Sequence, residues 1–359
     1  MNKRLYTELQ KLIIQQQSIP LLENNYLVHF EDENINKIYT IIKGPRDSVY
    51  RHKFIRLDMD IPKEYPYKPP KITFINYDGV RIHPTLYEDG RCCSTILNTW
   101  PSIEEDGVKK EAWVSSMGIE TILLMFHSFL DNNPYTHEPG GRDDSSYTDF
   151  VLYQTWDTCL LKYLYISQPI IFIDFMNLYL INNIETIFNE LSHLKNVYKK
   201  GTYYTQCFYI DNYTINYDKI IYKLQHYFQT LELYFNNHNT TIIEYTDTSM
   251  DNYNKLTEQT INQLTYNNSN SSNSSNSSIT CNICFQNIIP EDENDLNKLI
   301  TLECNHIFHN FCIKRHILHN GNTCSLCRSK TNMNEWLINP DTKKRIKIDS
   351  ITFKKMLTH

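Results

Sequence analysis

Residues 281–327 read CNICFQNIIPEDENDLNKLITLECNHIFHNFCIKRHILHNGNTCSLC. Within this stretch stand Cys281 and Cys284, then Cys304, His306, His309 and Cys312, then Cys324 and Cys327. Thiolate and imidazole are the preferred donors of tetrahedral zinc, and a Cys-x-x-Cys turn supplies two of them at a fixed separation. Eight donors make two complete four-ligand sets. So short a segment has little apolar core, so metal binding is expected to supply its folding free energy. His316 and His319 fall at helical spacing after Cys312 and read as surface residues.

Composition bounds the rest. A chain of 359 residues allows about two or three domains. The net charge of -6 gives no chain-wide basic field, so no nucleic-acid partner is expected. The start, MNKRLYTELQ, lacks the apolar run of a signal peptide. The most apolar stretch, 163–184, carries Gln168, Asp174 and Asn177, which predicts buried helices and no membrane partner. Outside the zinc pattern remain Cys92, Cys93, Cys159 and Cys207. That usage fits a reducing intracellular compartment, cytoplasmic or nuclear. Scarce Gly beside abundant Tyr reads as AT-rich coding, as in a protist or a large DNA virus.

Residues 1–164 pattern as a mixed helix-and-strand domain. Leu5, Leu9 and Leu12 recur at helical spacing. KIYTIIKGP (37–45) and HKFIRLDMDIP (52–62) read as strands closed by Gly or Pro, and YPYKPPKITF (65–74) as a proline corner leading into another strand. SMGIETILLMFHSFLD (116–131) predicts a helix with a capping-type start at Ser116 and Glu120, and 144–164 a second capped at Ser145 or Ser146. Residues 165–238 read as helical with a break near 200–213. Residues 239–278 read as a flexible linker, since every position from Asn267 to Ser278 is Asn or Ser. A zinc module at 279–332 and a basic tail at 333–359, expected as solvated helix and turn, complete the chain.

The ligand order resembles a RING domain of the two-histidine type, the docking module of ubiquitin ligases. The resemblance implies a cross-braced fold holding two zinc ions. One would sit on Cys281, Cys284, His309 and Cys312, the other on Cys304, His306, Cys324 and Cys327. It also implies that Ile283, Ile317 and Arg328 grip a conjugating enzyme. Arg suits that task because its planar fork donates to two acceptors at once. Ser325 stands where the family has proline.

A RING has no nucleophile of its own, and residues 65–140 resemble the ubiquitin-conjugating enzymes that supply one. YPYKPPKITF, HPTLYEDGRCCSTILNTW (83–100), Trp113, a long apolar helix and NPYTHEPG (133–140) follow in that family's order. The wording is most similar to the large, extended members, and 165–238 resembles their C-terminal extension. The implied class is α+β: an antiparallel sheet with flanking helices, a helical extension and the small zinc module. The family's nucleophile aligns with Cys93, whose thiolate would accept ubiquitin from the activating enzyme as a thioester. Cys92 reads as a small buried hydrophobe. Thr85 replaces the family's Asn, an oxyanion donor, with Asn98 and Thr99 as nearby substitutes. Tyr67 takes the place of a docking Phe. The second docking loop reads Trp113-Val114-Ser115-Ser116 without the usual proline, which predicts a looser RING grip. Lys3, Arg4 and Leu5 would face the activating enzyme.

Two functional readings follow. In one, the chain is a conjugating enzyme with a tethered RING as ligase or activator, acting on protein substrates. A linker of 40 residues would span about 35 Å and keep the two halves at high effective concentration. In the other, the first domain only binds, and the RING recruits a separate conjugating enzyme.

Overall fold

The computed structural model describes residues 2–31, 34–100, 112–166, 168–237, 279–288 and 299–331, and the backbone of 336–338 and 345–347. The 239–278 linker and most of the tail lie outside the described residues.

Helix α1 (Lys3–Gln17) forms because Leu5, Leu9, Leu12 and Ile13 share one buried face. Asn2 caps it, accepting from the Leu5 N–H at 3.3 Å. Four strands follow: β1 (Tyr26–Glu31), β2 (Asn34–Lys43), β3 (Phe54–Asp60) and β4 (Lys71–Phe74). They form an antiparallel sheet in the order 1-2-3-4. Residues Phe54 to Leu57 of β3 are buried without alternation, as expected where both faces of a sheet are covered. β1 goes beyond the sequence reading; half-buried His29 and exposed Glu31 interrupt its apolar run.

Helix α2 spans Ile119–Phe129, α3 Ser145–Trp156, α4 Lys162–Tyr165, α5 Ile170–Val197 and α6 Tyr217–Asn237. A π-helical turn, Asp157–Leu161, joins α3 to α4. α2 does not start at Ser116. The buried Glu8 carboxylate accepts from the Ile119 N–H and from the Tyr65 hydroxyl at 2.5 Å, and pairs with Arg4 at 3.2 Å. Gly118 lies against that carboxylate, where a Cβ would collide. α3 is capped one residue early, by Asp144, which accepts from the Tyr147 N–H at 2.9 Å.

α5 packs on the sheet through Phe175, whose ring lies 5.7 Å from that of Phe54. Arg51–Glu190 (2.6 Å) and His52 with the Tyr179 hydroxyl (2.9 Å) fasten it further. By length and composition α5 could cross a membrane, but half of its most apolar window is buried. Its buried Asn177 accepts from the Tyr227 hydroxyl of α6 at 2.6 Å. The break near 200–213 is a ribbon, β5 (Gly201–Tyr204) against β6 (Asn212–Ile215).

The C-terminal module comprises β7 (Leu299–Thr301), β8 (Ile307–His309) and α7 (Asn310–Asn320). Beyond it the described tail is a two-stranded pair, β9 (Trp336–Ile338) with β10 (Arg345–Lys347), and not the expected helix. Two apolar cores result. The larger fills the sheet domain and its helices. The smaller holds Ile283, Ile288, Leu302, Phe308 and Ile313, and one residue from far away, Tyr67.

Candidate active site and metal clusters

The segment carrying Cys93 is shaped by its own backbone. Gly90 turns the chain at φ +86, where a side chain would also meet the Phe74 carbonyl. The Cys93 N–H then donates to the Thr85 carbonyl at 2.9 Å. Beyond it the Ser94 N–H donates to the Thr99 hydroxyl oxygen (2.8 Å), which donates back to the Ser94 carbonyl (3.2 Å). Cys93 is half-buried, with Sγ 3.5 Å from the Thr99 carbonyl, and lines a cleft of about 420 Å³ with Thr85, Trp100, Phe129 and His137. Its neighbour Cys92 points into the core, where burial raises its thiol far above the ordinary range. Cys159 and Cys207 are buried too.

Thr85 is half-buried beside fully buried His83. His83 Nε2 lies 3.1 Å from the Phe129 carbonyl, so that nitrogen carries the hydrogen. Nδ1 is then a bare acceptor, taking the Thr85 N–H at 3.1 Å and the Thr85 hydroxyl at 2.8 Å. Burial and the neighbouring His137 push the His83 pKa down to about 3, which keeps this tautomer neutral. The hydroxyl hydrogens of Thr85 and Thr99 are therefore both engaged. Asn98 accepts the Trp113 N–H at 3.2 Å through its carbonyl oxygen, leaving amide hydrogens as its donors.

His137 is a cleft residue that sequence reasoning missed. Its Nε2 contacts Asp131 Oδ2 at 2.9 Å, and its ring centroid lies 5.0 Å from that of His83. The signal was His137 six residues after Asp131, but only folding brings it to the cysteine's cleft.

The eight zinc-type residues converge in two groups: Cys281, Cys284, His309 and Cys312, and Cys304, His306, Cys324 and Cys327. Within each group all ligand atoms lie within 4.8 Å of one another. Left-handed turns at Phe285, Asn305 and Arg328 fold the knuckles back. Phe285 and Arg328 each donate an N–H to the first cysteine of their knuckle's turn, at 2.8 and 2.9 Å to the carbonyls of Cys281 and Cys324. His309 turns Nδ1 toward Cys284 Sγ (3.3 Å) and Nε2 toward the Asn287 carbonyl (3.2 Å). That is the arrangement of a metal-ligating imidazole held by an outer carbonyl. Three thiolates and one imidazole per group fit tetrahedral zinc.

Residues 4–147 match the family model described as ubiquitin-conjugating enzyme, and residues 279–329 one described as the Vps41 C-terminal RING finger domain. The chain carries a ubiquitin-conjugating enzyme domain and a RING-type zinc finger. A ubiquitin-conjugating enzyme E2 of African swine fever virus is 36% identical over 135 residues, 36% of this chain and 59% of its own. Ubiquitin-conjugating enzyme E2 Z of Danio rerio is 29% identical over 133 residues, 35% of this chain and 38% of its own. The match thus spans less than two thirds of the length of either relative. The solved human ubiquitin-conjugating enzyme E2 G1 covers 36% of this chain and 97% of its own at 24% identity, with a TM-score of 0.28.

The RING sits on the conjugating domain of its own chain. Tyr67 is buried in the RING's apolar core, which holds fully buried Ile283 and, at its margin, Ile317. The Tyr67 ring stacks on His319 at 5.8 Å and lies under the Arg315 guanidinium at 4.6 Å. Asn320 donates to the Tyr67 carbonyl at 3.2 Å. Arg328 is half-buried on the last knuckle, outside that apolar core. His316 and His319 are thus seam residues, because the face of α7 that reads as solvent-facing lies against the docking loop.

The expected looseness from the absent prolines is corrected too. Ser115 Oγ lies 2.7 Å from His316 Nδ1, and the Ser116 hydroxyl donates to the Ser325 carbonyl. Arg4 and Leu5 do not face outward. Leu5 is in the core, and Arg4 is covered by the RING, donating to the carbonyls of Asn282 (2.9 Å) and Ile283 (3.2 Å). Its guanidinium stands 3.3 Å from the Phe285 ring centroid.

Proposed function

We propose that this chain is a ubiquitin-conjugating enzyme that carries ubiquitin as a thioester on Cys93 and passes it to lysine, with its own RING seated as activator. The observation that carries the reading is the RING core closed over Tyr67, on the same domain that holds Cys93 in an open cleft.

In the transfer, the acceptor amine nitrogen attacks the thioester carbonyl carbon. The new C–N bond forms, the C–S bond to Cys93 breaks, and one amine proton must finally reach the departing thiolate. His137, with Nε2 held by Asp131, offers Nδ1 as the base that takes that proton and returns it to Cys93. Thr85, its hydrogen given to His83, presents only lone pairs to the cleft and orients the incoming amine as an acceptor. Asn98 remains the side-chain donor for the oxyanion. Cys281, Cys284, His309 and Cys312 would hold one zinc ion and Cys304, His306, Cys324 and Cys327 the other. When bound there, the metal would supply the folding free energy of the RING. Ile283, Ile317 and Tyr67 form the grip, and Arg328 reaches the bound ubiquitin. The partners are ubiquitin, its activating enzyme and intracellular protein substrates.

The second reading, a binding domain whose RING recruits a separate conjugating enzyme, is favoured by the engaged Thr85 hydroxyl and opposed by the occupied docking face. Incubation with activating enzyme, ATP and ubiquitin decides between them. The expected result is a DTT-sensitive adduct on the wild type. If no adduct forms, and ligation needs a second conjugating enzyme, the proposal is wrong.

A further inference from the structure

We infer that the RING of this chain is keyed to its own conjugating domain, and penalises others, through the buried pair Ser115–His316. The inference rests on the reading of Cys93 as carrier and the RING as activator.

Apolar contacts alone would not select a partner. Tyr67 against Ile283 and Ile317 could be replaced by another ring of similar volume at little cost. The polar contacts behave differently. Ser115 and His316 are both fully buried, and neither side chain is exposed enough for water to stand in for the other. The Ser115 hydroxyl lies 2.7 Å from Nδ1 and the Ser115 N–H points at the same atom from 3.5 Å. Asn320 approaches it at 3.4 Å. Nδ1 is therefore an acceptor surrounded by donors. A conjugating enzyme with an apolar residue at position 115 would bury that nitrogen with its best donor removed. A RING with an apolar residue at 316 would strand the serine hydroxyl. Stranding a buried polar group costs far more than removing both partners together, on the order of ten- to a hundredfold in affinity. Specificity gained by penalising the wrong partner follows from that asymmetry.

A second contact demands the same partner. The Arg4 guanidinium is 3% exposed and needs both an aromatic face at 285 and the two knuckle carbonyls. Lys11 adds its ammonium at 4.4 Å from the same ring. A RING without an aromatic residue after the first knuckle would leave two cations facing it without that partner. The chain thus presents two halves matched at these contacts, Ser115 with His316 and Arg4 with Phe285.

The test uses full-length chain throughout. In single-turnover discharge of the Cys93 thioester to free lysine, Ser115→Ala and His316→Leu should each slow the reaction roughly tenfold. The double variant should recover to within about threefold of wild type. Additive losses would overturn the keyed pairing. Hydrogen exchange at the amides of 113–117 provides the same cycle without ubiquitin. Loss of the thioester itself would therefore count against the carrier reading and not against the seam. A final arm uses a Cys93→Ala chain as activator of an added conjugating enzyme with alanine at the position of Ser115. His316→Leu should make it an activator, while Ser115→Ala, which only loosens the seam, should not. Equal gains from both would mean a removable cover and would sink the proposal.

Discussion

At the cleft, Thr85, Cys93 and Thr99 lie close along the chain and are held by bonds between near neighbours, such as the Cys93 N–H to the Thr85 carbonyl at 2.9 Å. At the seam, Ser115 meets His316 across 201 positions of sequence. Both regions depart from the pattern of conjugating enzymes, and they absorb the departure differently. Thr85 turns its hydroxyl hydrogen inward to His83, so the cleft loses a donor. Ser115 and Ser116 replace proline-type contacts with hydrogen bonds to His316 and Ser325, so the seam gains polar order. A departure within one short segment is met by local rearrangement, whereas one at an interface needs a matching change on the other side.

The comparison can be broken at its strongest point first. Cys93→Ala should abolish the DTT-sensitive ubiquitin adduct, and Cys92→Ser should still charge; a non-reducing gel reads both. If Cys92→Ser fails while Cys93→Ala charges, the cleft has been misassigned. Chelation of zinc, or Cys281→Ser, should unfold the RING and slow thioester discharge more than tenfold while leaving the charged fraction near wild type. A discharge rate indifferent to chelation would show that the seam does not serve the cleft. Tyr67→Ala should weaken docking by about 3 kcal/mol, the usual order for emptying a buried aromatic site. Hydrogen exchange across α7 would report it as lost protection.

Acid should distinguish the two regions further. Burial lowers the His316 pKa to about 4, against an ordinary 6.5. A base whose pKa is depressed on docking contributes fully above 6.5, and its contribution fades as pH falls toward 4. Ser115, Asn320 and His319 face it from the loop and from α7, and the Thr323 carbonyl partly offsets the shift. At pH 5.5 docking should weaken roughly tenfold, visible as faster exchange at 113–117 after correction for intrinsic rates. His83, held near 3, should keep its hydrogen bonds to Thr85 over that window. The smallest effect is expected from Thr85→Asn, which adds amide hydrogens to the cleft. Lysine transfer should rise about fivefold with charging unchanged, a modest fraction of what an oxyanion donor can contribute.

Much of this was legible in one dimension. Strands β2, β3 and β4 and helices α1 and α2 follow from short apolar patterns, because a strand or helix reports its period within a dozen residues. The ligand pairs follow from spacing, because a knuckle is a local turn, whereas their combination into two interleaved groups was implied by the resemblance to RING domains. β1 was obscured by His29 and Glu31, and the ribbon β5–β6 by its brevity and its tyrosines, of which Tyr213 packs on Phe150 and Tyr203 on Tyr213. The cap of α2 was unreadable because the acceptor for its Ile119 N–H, the Glu8 carboxylate, comes from another helix. His137 is visible in the sequence, but its place in the cysteine's cleft is not.

By itself, then, the sequence determined the chemistry available to this protein: a cysteine in a conjugating-enzyme context, eight zinc-type ligands enough for two four-ligand sites, and a polar tract between them. Only the tertiary structure decided what those parts do to each other. It placed Tyr67 in the RING's core, turned His316 from a surface residue into a buried acceptor, covered Arg4 with Phe285, and spent the Thr85 hydroxyl on His83. The physical reason is that periodicity and knuckle spacing are encoded between neighbours, whereas burial and hydrogen-bond pairing depend on which distant surface arrives opposite.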